Sequence, residues 1–460
     1  MAKKSTKNRK NAAKSRRAQR RRQERTAGII VCAFLCICIG ICAAVRIANS
    51  RGPKTSGGQW VVADGEMEIL APAAGGTLDY ASAGAPGEGL PFLQPTEAPE
   101  PAATPEPTAE SSADTFVALP EPVIPEATAP SLEPEKALEY IPITITAVGD
   151  CTLGGEIKSG AYRSFQSYAN KYGPDYFFQN VRSLFESDDL TIVNLEGPLT
   201  TSDDMRSGRT FNFRGDPKYV QILSGSSVEI ANVANNHSLD FGEEGFNETA
   251  QVLEDEGIGV SGFSRVYFTD VKGVRVCSLG FTEWAYSQEQ LEKAVRAARE
   301  QCDLLIVSIH WGEEGNHSAT DTQVKLGRAM VDAGADLIIG NHSHVYGGVE
   351  LYKVKYIIYS LGNFCFGGNR NPADKNCTIF QQTFNISLDG AVSDGGINII
   401  PARISGQNST NDFQPYILSG DAALTQLKKV AAVSNVDASQ MLWMDYSQSP
   451  VGAVALSNGF

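Results

Sequence analysis

From Ile141 onward, short β-rich runs alternate with helical ones, and this alternation restricts the fold more than any other feature. The runs are ITITAV (143–148), LTIVNL (190–195), EIANVA (229–234), VRVCSLGF (274–281), LLIVSI (304–309), DLIIG (336–340) and KYIIYSL (355–361). Between them, SQEQLEKAVRAARE offers Ser287 and Gln290 as a capping box and sets Leu291, Ala294, Val295 and Ala298 on one helical face. EEGFNETAQVLEDEG and DTQVKLGRAMVDAGAD close on Gly257 and Gly334, residues suited to stopping a helix. The alternation predicts one α/β domain over 139–460, without internal repeats.

That domain leaves a long N-terminal region to account for. Residues 1–25 hold 12 Lys or Arg against one Glu; this net +11, in a chain whose total is −14, leaves −25 on the rest. An acidic body repels phosphate, which argues against a nucleic-acid-binding domain. The basic arm itself reads as an orientation signal that also touches anionic lipid, nucleic acid or ribosomes being the other partners such a run can take. Next comes Ala27 to Val45, 19 residues without a charge. As a helix they span about 28 Å, close to the hydrocarbon thickness of a bilayer. The run is longer than the apolar part of a signal peptide and is not followed by a small-residue cleavage motif. One uncleaved signal-anchor helix over 27–47 is therefore expected in the cell membrane. The positive-inside rule then puts the arm, 1–26, in the cytoplasm and the C-terminal domain outside.

Fourteen of the 22 prolines lie between Pro53 and Pro134, mixed with Ala, Glu, Thr and Ser. Such a composition buries too little apolar area to offset its chain entropy, so 48–138 is expected to be a disordered linker. Within it Gln59 to Leu70, QWVVADGEMEIL, could be a short ordered patch, and is read as a locally apolar piece of linker. Four of the nine cysteines sit in the apolar run. The other five, Cys151, Cys277, Cys302, Cys365 and Cys377, have spacings that indicate neither a disulfide framework nor a zinc knuckle.

The strand ends carry the chemistry. ITITAV runs into GDCTLGG with Asp150, LTIVNL into EGPLT with Glu196, and EIANVA into NNHSLDFG with Asn236, His237 and Asp240. LLIVSI runs into HWGEE with His310 and Glu314, and DLIIG into NHSHVYGG with His342 and His344. Four of the chain's five histidines thus follow strand carboxyl ends, where open α/β sheets place ligands. Asp150, Glu196, Asn236, His310, His342 and His344 together form an N/O ligand set suited to divalent Mn, Zn or Fe. Asp240, Glu314 and Asn363 are candidates to support them. Cys151 would point away from Asp150 on an extended backbone. Trp311 either lines the pocket or covers a strand end, and His317 reads as a surface residue.

GDCTLGG, NLEGPLT, ANNHSLDFG, IHWGEE, GNHSH and SLGNF, in that order, resemble the CapA family of capsule-synthesis proteins, also called PgsA-type poly-γ-glutamate biosynthesis proteins, over residues 143–430. That family is similar in turn to calcineurin-like metallophosphoesterases. The resemblance implies a four-layer α/β/β/α sandwich of metallophosphoesterase type holding two divalent metal ions, with Glu196 in the bridging position. It implies for His237 a catalytic role, contacting or protonating a leaving group. Two departures stand out: Thr152 occupies the place of a ligand histidine two residues after the first aspartate, and the bridging group is Glu196 rather than Asp. The expected function is a membrane-anchored, extracytoplasmic part of capsule or poly-γ-glutamate biosynthesis or export, whose metal site holds polymer carboxylates. Its expected partners are that anionic polymer and capsule-synthesis membrane subunits. The alternative is a metal-dependent phosphoesterase acting on a cell-envelope substrate. A purely structural metal is a third reading.

Overall fold

The computed structural model describes residues 56–63, 66–70 and 140–434. The basic arm and the expected anchor over 27–47 lie outside the described residues, among which no helix is long and apolar enough to cross a membrane. In chain order the strands are β1 (Ser56–Ala63), β2 (Glu66–Leu70), β3 (Tyr140–Thr152), β4 (Gly155–Glu156), β5 (Leu190–Leu195) and β6 (Phe213–Arg214). They continue with β7 (Ile230–Asn232), β8 (Gly259–Ser261), β9 (Arg265–Val271), β10 (Val274–Thr282), β11 (Leu304–His310) and β12 (Leu337–Asn341). The last are β13 (Val349–Tyr352), β14 (Lys355–Ile358), β15 (Asn363–Phe366), β16 (Asn376–Ser387), β17 (Val392–Arg403) and β18 (Tyr416–Ile417).

One sheet runs β13-β14-β12-β11-β10-β9-β1-β2, with β14, β12, β11 and β10 mutually parallel. The other runs β18-β17-β16-β3-β5-β7-β8; here β3, β5, β7 and β8 are parallel, and β15 also pairs with β3. Alternation along each strand sorts its residues between two faces. Ile143, Ile145, Leu190 and Ile192 of one sheet meet Val276, Leu304, Ile306 and Leu337 of the other in one buried cluster, so the sheets pack face to face. Cys277, Leu279, Leu305 and Val307 turn the other way, against helices Gln288–Arg299 and Asp321–Ala333. Val148, Cys151, Val193 and Leu195 face helices Ala161–Tyr172 and Gly242–Asp255. The layers are therefore helices, sheet, sheet, helices. Each fully buried Leu, Ile or Phe contributes about 1.5–3 kcal/mol. Parallel strands covered on both faces need unbroken apolar runs, which LTIVNL and LLIVSI supply.

Local signals act as expected. The Ser287–Gln290 capping box is formed, and Gly334 ends its helix with φ 120. The linker expectation needs correcting at β1 and β2, which fall inside 48–138. They pair as an antiparallel hairpin, Gln59 with Leu70 through Ala63 with Glu66, beside β9 in the first sheet. Trp60, Val61 and Val62 have high strand preference, and Asp64-Gly65 between the strands is a two-residue hairpin signal. The rest of that stretch lies outside the described residues.

Candidate metal centre

The carboxyl ends of both sheets meet at one place. Asp150 lies near the end of β3, Glu196 just beyond β5, and Asn236 and His237 in the turn after β7. His310 closes β11, His342 and His344 occupy the turn after β12, and Asn363 opens β15. A Cβ on Gly149 would come 1.8 Å from the Gly362 carbonyl, so only glycine lets β3 run this close to the segment leading into β15.

Asp150, Glu196 and His344 each offer a ligand atom within 4.8 Å of the others. His344 places Nδ1 3.2 Å from Asp150 Oδ2 and Nε2 3.8 Å from Glu196 Oε1. His310 Nε2 stands 3.8 Å from the same Glu196 oxygen, 3.0 Å from Asn236 Oδ1 and 3.0 Å from His342 Nδ1. Glu196 thus lies between an Asp150–His344 group and an Asn236–His310–His342 group. Donors about 2.0–2.2 Å from a shared ion stand roughly 3 Å apart, which is the spacing around His310 Nε2. Asp150 and Glu196 are fully buried, yet Asp150 Oδ2 and both Glu196 oxygens accept no hydrogen bond from the described residues. Burying carboxylate oxygens in this way is costly unless a proton or a cation answers them. The residues present therefore fit divalent cations.

The electrostatics agree. Burial lifts the Glu196 carboxyl well above its ordinary range, with His344 pulling it back and Asp150 pushing it further. Burial also opposes charging His344, but Glu196 and Asp150 outweigh it and raise the imidazole to about 10. Burial, with His344 and His237 nearby, pushes His342 down to about 3 and holds His310 well below its ordinary value. Neutral imidazoles are the form that ligates metal, which suits His310 and His342, whereas His344, held protonated by Glu196 and Asp150, would give up its proton to an entering ion. His342 and His344 sit at φ 99 and φ 57, left-handed conformations that cost a non-glycine residue of order 1–3 kcal/mol. Thr152, on the same side of β3 as Asp150, brings a hydroxyl without a hydrogen-bond partner among the described residues and no imidazole.

Supporting groups fix these side chains. Asn194 donates to Asp150 Oδ1 at 2.7 Å and approaches His310 Nδ1 at 3.3 Å, and Asn232 donates to Asn194 Oδ1 at 2.8 Å. Asn363 Oδ1 lies 3.0 Å from His344 Nδ1. His237 holds Nδ1 2.6 Å from Asp240 Oδ2, stacks on Phe213 at 4.0 Å between ring centres, and turns Nε2 to within 3.9 Å of Glu196 Oε1. Glu314, in an exposed turn, reaches the centre through its charge alone, acting on Glu196 and His344.

Other residues stay apart. Trp311 is a core residue that donates to the Tyr359 carbonyl at 2.9 Å; the tryptophan at the centre is Trp284, half exposed and edge-on to His342 at 4.7 Å. His317 donates to the Tyr346 carbonyl at 2.7 Å. Cys151 turns into the core, where burial pushes its thiol up to about 12. Asn194, Asn232, Phe213 and Trp284 escaped the sequence reading. The signal available for the first two was an amide inside the otherwise apolar runs LTIVNL and EIANVA.

Residues 144–368, which contain every one of these ligand candidates, match the family model described as bacterial capsule synthesis protein PGA_cap. The capsule biosynthesis protein CapA of Bacillus anthracis is 29% identical over 265 residues, 51% of this chain and 62% of that one. The PGA biosynthesis protein CapA of Bacillus subtilis strain 168 is 29% identical over 236 residues, 46% of this chain and 62% of that one. A probable polyglutamine synthesis accessory protein of Mycobacterium tuberculosis is 26% identical over 208 residues, 38% of this chain and 55% of that one. The chain therefore spans under two thirds of the length of these relatives. Among solved structures, a purple acid phosphatase from yellow lupin is similar with a TM-score of 0.28 and 11% identity, over 69% of this chain and 58% of that one. On the family match and the named relatives, segment 144–368, just under half of the chain, is similar to the bacterial capsule synthesis PGA_cap family.

Proposed function

We propose that this chain takes part in making or exporting an anionic capsule polymer of the poly-γ-glutamate kind. In this reading it is anchored through 27–47 with its folded domain outside the cell, beside membrane subunits of the same machinery. Its working centre is a pair of divalent cations held by Asp150, Glu196, Asn236, His310, His342 and His344. One observation carries this reading: three carboxylate oxygens, on Asp150 and Glu196, are buried without hydrogen bonds and ringed by His237, His310 and His344. The Bacillus relatives, named for capsule and PGA biosynthesis, supply the biological context.

Divalent ions bound there would supply positive charge for carboxylate or phosphoryl oxygens and lower the pKa of bound water. The chain's own groups do the positioning. Asn194 holds Asp150, Asn363 sets the ring of His344, and Asp240 fixes the tautomer and direction of His237. His237 Nε2, facing the centre, is placed to hand a proton to a departing oxygen. That pair favours the second reading, a metal-dependent phosphoesterase, because holding a polymer needs no proton donor.

His237→Ala in the full-length chain separates the two. Polymer production in a strain lacking the wild-type copy, and hydrolysis of a model phosphodiester by the purified protein, would be measured together. Production retained, with no turnover even by wild type, supports the assembly role. Joint loss of production and turnover supports the hydrolase. A wild-type chain that purifies without divalent metal sinks both.

A further inference from the structure

Away from the metal ligands, two of the cysteines whose spacing indicates no disulfide framework stand together on the helix-covered face of the first sheet. Cys277 lies in β10, fully buried, and points with Leu279 and Leu305 into the core beneath helix Gln288–Arg299. Cys302 follows that helix in the short link to β11, half-buried, and packs against the same cluster. Its Sγ donates to the Ala298 carbonyl, one turn back in the helix, at 3.3 Å. The link is held from both sides. Asp303 N–H donates to the Arg275 carbonyl at 2.8 Å and Arg275 N–H to Asp303 Oδ2 at 2.8 Å, while the Arg299 guanidinium donates to the Cys302 carbonyl and to Asp336 Oδ2. Within this frame the two thiols meet in a hydrogen bond, Cys277 S–H donating to the Cys302 sulfur.

The pair is unequal. Burial pushes the Cys277 thiol well above its ordinary value, and the hydrogen bond it donates adds to that. The same hydrogen bond, with Arg299 beside it, holds Cys302 below its ordinary value against the effect of its own burial. A thiolate-prone sulfur near the surface, next to a buried one that keeps its proton, is the arrangement of an attacking and a resolving cysteine. Cys151, Cys365 and Cys377 are fully buried in the core on the far side of the other sheet, where burial raises all three thiols.

We propose that Cys302 and Cys277 are a redox modification site, converted reversibly to a disulfide by a low-molecular-weight disulfide oxidant. The Cys302 thiolate attacks one sulfur of the oxidant, forming a mixed disulfide and expelling the other sulfur as a thiolate. Cys277 then attacks the Cys302 sulfur, and the oxidant's second sulfur leaves. The two protein sulfurs lose two electrons, the oxidant gains them, and the two thiol protons end on its two sulfurs. The new bond needs sulfurs about 2.05 Å apart. Cys302 lies outside helix and strand, so its side chain can close on Cys277 without breaking a ladder hydrogen bond. The ring so formed carries the helix and Trp284, whose indole stands against His342.

The test is peptide mapping without reduction, after the reduced full-length chain in detergent has been incubated with oxidised glutathione. Wild type should yield the Cys277 peptide joined to the Cys302 peptide. Cys277→Ala should stop with glutathione on Cys302, and Cys302→Ala should leave Cys277 a thiol, reacting about tenfold or more slower than Cys302 does in Cys277→Ala. In wild type, free thiols at both positions, or glutathione retained on Cys302, overturns the proposal, and this mapping decides even where a variant fails to fold. Equal rates in the two variants overturn the division into attacking and resolving sulfur.

Discussion

Truncating His342 removes one of the two donors that stand 3.0 Å from His310 Nε2, so His342→Ala should lower metal content from about two ions to about one per chain. His237→Ala should leave that content unchanged within error, because Nδ1 is committed to Asp240. Elemental analysis of the two variants decides between a ligand and a proton-handling role. A different pair of residues should govern the pH dependence of stability. Burial raises Asp188 to about 7 and Glu229 to about 8, from ordinary values of 3.8 and 4.5, at the amino ends of β5 and β7. Between those limits the folded chain binds protons that the unfolded chain has released. Their contribution is therefore full below about pH 4 and is lost as pH rises through 7 to 8. Wild-type melting temperature should fall between about pH 4 and 8 and level off above, and the double variant Asp188→Asn, Glu229→Gln should show a visibly flatter profile over that range. Parallel profiles would refute the assignment.

At the level of elements, deleting 56–70 removes the hairpin beside β9 and bares a strand edge. A loss of about 2 kcal/mol would lower the melting temperature by roughly 5 °C, whereas deleting the Pro-rich 74–134 should leave it nearly unchanged. Scanning calorimetry of the two deletions checks the contrast. The elements themselves were largely legible, since all seven β-rich runs became parallel strands and the Ser287 helix begins on its capping box. β8, only three residues long, is held by pairing with β7 and carries too short a pattern to announce itself. The hairpin was hidden because the proline count around it outweighed Asp64-Gly65 as a local signal. The ligand candidates were visible as histidines and acids at strand ends. Asn194, Asn232 and Trp284 were not, because what matters in them is which partner the opposite sheet or a neighbouring turn presents, and spacing along one strand says nothing about that.

For the whole molecule, positive charge before 27–47 predicts a single membrane crossing with the domain outside. Protease added to intact cells should digest the domain and leave a short protected N-terminal fragment; full protection would overturn that topology. Chelation should also destabilise the domain. Ions held at a hundred times their dissociation constant contribute about 2.7 kcal/mol, or roughly 5–10 °C in melting temperature. That effect has a geometric origin in the division of the ligands. Asp150, Glu196 and Asn236 come from one sheet, and His310, His342 and His344 from the other, more than 70 residues later in the chain. Neither half owns a binding site, so an ion would act as a rivet driven through both sheets, and its capture would signal that the two parts of the chain have found each other.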